Sequence, residues 1–207
     1  MKNVKKLLRI SLVTTVCGIA ATAVQAQQSP QAPAPRILVV QIQMVVQGSK
    51  VGKDIARQIM EYQKQAEAEF KGRQTALQQE QQKLQQQKSL LSAAAFAQKT
   101  KDFQSKVAGL QQFGDTKRNL IQGGSYKAQQ AIDAALHPIL DAILKAHGAN
   151  LMMERSTIID SNIDIDATSE AIKRLDQAMP TYKVQLVPLP PEIAAQVAAA
   201  AAQQQQR

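Results

Sequence analysis

The residues of this sequence that could do chemistry fall into three groups, and two of them lack the partners their chemistry requires. Asp160-Ser-Asn162-Ile-Asp164-Ile-Asp166 places oxygen ligands at alternate positions, as at the start of a calcium loop. The sixth position is Ile165 where such a loop needs Gly, and the twelfth is Ala171 where it needs Glu, so the stretch reads as a polar turn leading into a helix cap. His137 and His147 have no Cys and no carboxylate pattern to complete a metal or nucleophile site, and read as helix-surface or capping residues. There is no Gly-rich phosphate loop, no GxSxG and no HExxH. Neither catalysis, nor a metal, nor a cofactor is expected.

The third group is basic. From Lys71 to Lys127 there are ten Lys/Arg against three acids, a local +7, while from Ala128 to Glu192 five Lys/Arg face nine acids, a local −4. The cations that stand out are Lys71, Arg73, Lys83, Lys88, Lys99, Lys101, Lys106, Lys117 and Arg118. A solvated helix face is the ordinary explanation for such a run. Here acids are too scarce for i,i+4 pairing to account for it, so these residues are read as a contact for an anionic partner.

The elements that position this charge follow from pattern. Lys2, Lys5, Lys6 and Arg9 precede an apolar stretch from Ile10 to about Val24, and Val24-Gln25-Ala26 ends it with small residues one and three before a cut. That is the order of a secretory signal peptide, cleaved between Ala26 and Gln27. An uncleaved anchor is the other reading. Cys17 does not make a lipidation site, because Val16 before it is too large and the apolar run continues past it. Cleavage removes the sole Cys, so the exported chain has neither disulfide nor thiolate chemistry. It also removes four of 25 Lys+Arg and leaves 21 against 16 Asp+Glu, about +5.

After a Pro/Ala linker (SPQAPAP, Ser29–Pro35), Arg36–Ile42 is an apolar run of strand length. A helical pattern starts near Met44, and Phe70, Leu77, Leu84 and Leu91 recur at steps of seven. The seam is thin, with only one secure apolar residue per heptad, and eight of the fourteen residues from Gln74 to Gln87 are Gln. Ser89-Leu-Leu-Ser92 reads as a reversal, with Ser92 capping a return helix. That helix carries Phe103, Val107, Leu110, Leu120 and Ile121, then a cleaner stripe of Ile132, Leu136, Ile139 and Ile143, with Pro138 inside it and His147-Gly148 at its end. Each helix should hold about 45–55 residues, roughly 65–80 Å. Gly123-Gly124 is a candidate hinge, a locally frayed helix being the other reading. Ala149–Met153 and Thr157–Asp160 read as strands, Thr168 as the cap of a short helix through Leu175, and Val184–Val187 as an edge strand.

The expected fold class is α+β: a small β base with a long antiparallel coiled-coil hairpin arm. Residues 1–26 form the signal peptide and 27–35 the linker. Residues 36–43 and 148–187 form the base with its short helix, 44–147 the arm with its tip near 89–93, and 188–207 a flexible Pro/Ala/Gln tail. So few strands could hardly stand alone. Oligomerisation through Ile37, Val39, Ile42, Leu151 and Ile158 is the expected completion.

Three stretches in this order carry a resemblance: RILVVQIQMVVQGSKVGKDIARQI (Arg36–Ile59), EFKGRQTALQQEQQKLQQQKSLLS (Glu69–Ser92) and HPILDAILKAHGANLMMERSTIIDSNIDIDATSEAIKRLDQ (His137–Gln177). With the signal peptide, the sequence resembles the Skp (OmpH-like) family of periplasmic chaperones over nearly all of its length to about Pro180. The resemblance implies a homotrimer with a central β-barrel, from which three hairpins enclose a cavity. It further implies ATP-independent holding of unfolded outer-membrane β-barrel proteins until membrane insertion. The expected partners are such unfolded proteins and lipopolysaccharide or anionic phospholipid surfaces. Export argues against nucleic acid. No lipopolysaccharide cluster maps residue by residue, and the Gln-rich arm and Ala/Gln tail depart from the family pattern. The competing reading is a structural coiled-coil spacer or adaptor of the cell envelope, which would need a tight, uniform seam.

Overall fold

A parallel pair of strands can be joined only by a crossover, and in this chain the crossover is the whole arm. The computed structural model describes residues 34–205, so Ala26, Gln27 and the signal segment lie outside the described residues. β1 (Ile37–Val40) and β2 (Leu151–Glu154) pair in parallel, Ile37 opposite Leu151 and Val40 opposite Glu154. Between them run α1 (Ile42–Gly48), α2 (Lys50–Gln87) and α3 (Ala93–Ala146). α4 (Thr168–Ala178) and α5 (Pro191–Gln205) follow β2. On its free edge β1 takes one more backbone bond, from Ala167 N to Val39 O at 2.8 Å.

The hairpin forms as its local signals dictate. Ser92 Oγ accepts from Ala95 N at 3.3 Å and starts α3. Gly148 adopts φ +58 just past its end, a conformation open to Gly at little cost. α3 runs 54 residues, about 80 Å at 1.5 Å per residue, and continues through Pro138. α2 has 38 residues, about 57 Å, and is shorter than expected. The reason is Ser49. Its backbone is extended, its Oγ accepts from Gly52 N at 3.1 Å and donates to Val46 O at 2.9 Å, and its side chain is fully buried. The helix stops and restarts there, so α1 and α2 are two helices where one was expected. Gly52 is required at the joint, because a Cβ would stand 1.7 Å from Val46 O.

The core lies at the base and the root of the arm. Val45, Val51, Ile143, Ala171 and Leu175 are fully shielded and Ile132 is 2% exposed. Each large aliphatic among them contributes on the order of 1.5–3 kcal/mol. α4 joins through Thr168, Ala171 and Leu175, spaced at three and four residues.

Several expectations are corrected. Thr157–Asp160 is not a strand: Arg155–Thr157 is a 3-10 turn and Ile159 stands fully exposed, and among the described residues no strand pairs with it to complete a ladder. Val184–Val187 is not a strand either, since its backbone partners are helix side chains. Thr168 is not the cap of α4. Asp166 Oδ1 accepts from Thr168 N at 2.8 Å, while Thr168 Oγ1 accepts from Gln41 N at 3.0 Å and ties α4 to the end of β1. The segment expected to be a flexible tail is helical over Pro191–Gln205, as its run of Ala and Gln favours.

Candidate functional site

Beyond its root the arm has no core. Residues 56–120 contain no buried side chain, and Phe70, Leu77, Leu84 and Leu91 are each half-exposed. α3 carries a second line, Phe96, Phe103 and Leu110, also half-exposed and also at steps of seven, and Leu77 and Leu110 line one cleft. The period of that second line is present in the sequence but interrupted by Val107 and Leu120. Two single rows meeting edge to edge leave much of each apolar side chain in water.

The expected basic residues divide by the structure into two sets. Lys106 Nζ reaches Glu80 Oε1 across the hairpin at 2.6 Å, Lys117 reaches Glu69 Oε2 at 3.1 Å, and Arg118 pairs with Asp115 at 3.3 Å. The first two pairs cross the hairpin, out of reach of an i,i+4 argument, and the third is a local i,i+3 pair on α3, so the assumption that these charges lack acids is corrected for all three. Arg73 lies over the Phe113 ring, 4.1 Å from its centroid, and Lys117 approaches the same ring at 5.3 Å. Lys71, Lys83, Lys88, Lys99 and Lys101 are exposed and, among the described residues, have no ion pair. Four of these five cluster toward the tip, where Leu90 is 82% exposed. Midway along the arm, Phe70, Phe113 and Ile121 floor an open cleft of about 470 Å³ rimmed by Lys117 and Arg118. The arm therefore offers apolar strips edged with cations, a surface able to take up polypeptide that exposes apolar and acidic groups.

The other expected sites are placed as follows. Ile37 and Leu151 stand opposite each other on the sheet, 37% and 45% exposed, and Ile158 is half-buried. Ile42 packs partly on the core, and Val39 is 1% exposed inside the chain's own core. Gly123 and Gly124 are buried, with α3 continuous through both. Asp160 Oδ1 takes Ser161 N, Asn162 Oδ1 takes Asp164 N, and Asp166 takes Thr168 N and Arg155 Nη1, so the oxygens of this loop serve its turns and the start of α4. His137 is exposed on α3.

His147 caps α3 and bonds Glu170 of α4, Nε2 to Oε2 at 2.8 Å, while Arg174 donates to the other oxygen at 2.6 Å. The His147 hydrogen bond, opposed by partial burial and assisted by Arg174, holds the Glu170 carboxyl below the usual glutamate range. At Asp166 burial pushes the pKa up, but the Thr168 and Arg155 hydrogen bonds outweigh it and the net shift is downward. Glu170 fastens α4 to the end of α3 and Asp166 ties the start of α4 to Arg155; both are scaffold.

Among the described residues no helix is long and apolar enough to cross a membrane. No curated protein sequence matches the chain. Its fold is similar to the crystal structure of an OmpH-like outer membrane chaperone candidate from Caulobacter crescentus, with a TM-score of 0.72 and 23% identity, over 78% of this chain and 96% of that one. The sequence model of the outer membrane protein (OmpH-like) family matches residues 36–175. With two-thirds of its length matched in the same order of strand, long hairpin, strand and short helix, the chain belongs to the OmpH-like family.

Proposed function

We propose that this protein is an ATP-independent periplasmic chaperone that keeps unfolded outer-membrane β-barrel proteins soluble between its arms until they are inserted. The observation that carries the reading is the coreless stretch of residues 56–120, with its half-exposed Phe and Leu rows and its unpaired lysines. A holding surface needs apolar area left free by its own fold, spread over a length, and no single tight site. Many weak contacts along one chain raise its local concentration at each next contact. Positive charge speeds capture of acidic chains. No step of such holding consumes a nucleotide.

The OmpH-like neighbour is itself described as an outer membrane chaperone candidate, and the family match supports the same role here. The exposed Ile37 and Leu151 support assembly through the sheet, and a homotrimer would bring three arms around one cavity. The export signal read in residues 1–26 supports the compartment. The spacer reading needs a tight seam, and the half-exposed rows speak against it.

The test dilutes a urea-unfolded outer-membrane barrel into buffer with and without the protein. Equimolar trimer should suppress light scattering by aggregation, with no effect of added ATP. Undiminished aggregation would remove the proposal. Recovery of one folded partner at fixed stoichiometry, in place of many unfolded ones, would favour the spacer.

A further inference from the structure

The stretch between α4 and α5 lies beyond the family match, which ends at residue 175. It has no regular secondary structure, yet Val184 and Leu189 are 1% and 7% exposed. Burial alternates as in extended chain: Tyr182 and Val184 turn inward around an exposed Lys183, and Val187 and Leu189 around an exposed Pro188.

Lys127 Nζ donates to Gln185 Oε1 at 2.8 Å, and the rest of what holds it is directed at its main chain. Gln58 of α2 uses both ends of its amide, Nε2 donating to Tyr182 O at 2.7 Å and Oε1 accepting from Val184 N at 2.9 Å. Tyr62 of α2 donates its hydroxyl to Val184 O at 3.3 Å, and Asn119 Oδ1 of α3 accepts from Leu189 N at 3.2 Å. The floor is Gly123-Gly124. A Cβ on Gly123 would stand 2.0 Å from Val187 O, and one on Gly124 2.8 Å from Gln185 O. Both glycines therefore admit backbone, and no other residue fits there.

We propose that the root of the α2–α3 hairpin is a docking groove for extended polypeptide, occupied by the chain's own Tyr182–Leu189. In that place the segment clasps the two helices, so that the arm flexes beyond Leu120 and not at the glycine pair. Recognition through backbone groups tolerates sequence, and the buried side chains of Val184 and Leu189, five residues apart, supply the apolar anchoring. The occupant is tethered through α4, which keeps its local concentration high. Beyond Leu120 the hairpin is crossed, among the described residues, by half-exposed rows, surface ion pairs and the Arg73–Phe113 contact, with no buried side chain. This inference concerns arm geometry and stands apart from the chaperone reading.

The experiment uses the full chain with spin-label pairs across the hairpin, at Met60 and Ser125 for the root and at Gln78 and Ser105 for the outer arm. The native root should give a narrow distance distribution and the outer arm a broad one. Gly123→Ala should broaden the root and raise amide exchange at Val184 and Leu189 at least tenfold. Gly109→Ala, whose Cβ meets nothing within 4 Å, should change neither. Gln58→Ala inserts no atom into the core and should widen the root to a smaller degree. In the double variant Val184→Asp with Leu189→Asp, the clasp is lifted and the groove left intact. A synthetic Thr181–Pro190 peptide should then bind one per chain and narrow the root again. A root as broad as the outer arm in the native chain, a root indifferent to Gly123→Ala and Gln58→Ala, or a peptide that fails to bind the double variant would each overturn the proposal.

Discussion

Residues 38–55 and 121–189 hold every buried side chain among the described residues, and the 65 residues between them hold none. The two regions use the same helices, since α2 and α3 pass through both, and they have similar helix-forming composition. They differ in how many layers meet. At the root, α3 faces α2, α1, α4, the strands and Tyr182–Leu189, and its stripe Ile132, Leu136, Ile139, Ile143 is sealed. In the outer arm one helix meets one helix. A pair of helices cannot enclose a residue on all sides, so Phe70, Leu84 and Phe103 stay half in water. The difference teaches that burial in this fold is a property of the number of neighbours and not of the apolarity of the stripe.

The comparison can be broken first by truncating one side chain on each side of it. Ile143→Ala should destabilise by about 2–5 kcal/mol, because it leaves a cavity in a sealed site. Leu84→Ala, from a half-exposed site, should cost below about 1.5 kcal/mol. Urea unfolding followed by circular dichroism measures both, and equal losses would erase the distinction.

Charge sharpens it next. Reversing Lys83, Lys88, Lys99 and Lys101 to Glu should weaken binding to vesicles of anionic phospholipid by at least about a hundredfold, taking about 1 kcal/mol per lysine near such a surface. The melting temperature should hardly move, as none of the four is buried or ion-paired among the described residues. Co-sedimentation at two salt concentrations reads the first and calorimetry the second.

Acid should act on the base. Glu170 and Asp166 have folded pKa values below their unfolded ones, about 4.3 and 3.9. Their contribution is therefore complete above those values and is lost as pH falls through the depressed ones. Hydrogen exchange at Ala167–Ala171 should accelerate below about pH 4 beyond the intrinsic rate, and Glu170→Gln should flatten that profile. The smallest effect is expected at Lys106→Gln. Its pair with Glu80 is exposed on both sides, and the loss should stay within about 1 kcal/mol by the same urea titration.

Legibility in the sequence followed the range of the interaction. Ser92 as the cap of α3, Gly148 at its end and the seven-residue row of Phe70 to Leu91 could be read directly, because cap and period are set within one or two turns. Ser49 could not. What turns the chain is a buried serine whose role shows only once Gly52 is seen against Val46 O. Thr157–Asp160 has strand composition but, among the described residues, no strand pairs with it, so composition misled. The ion pairs of Lys106 and Lys117 join residues 26 and 48 apart in sequence, beyond any local rule.

Composition and period alone established a long, Gln-rich, basic hairpin with a thin seam, since helix formation and charge are local properties of the chain. They left Gly123-Gly124 as a hinge or a locally frayed helix, because local pattern shows only that two Cβ atoms are missing. What those missing atoms make room for is decided by Val187 and Gln185, more than sixty residues later, whose carbonyl oxygens occupy the space where side chains would otherwise be.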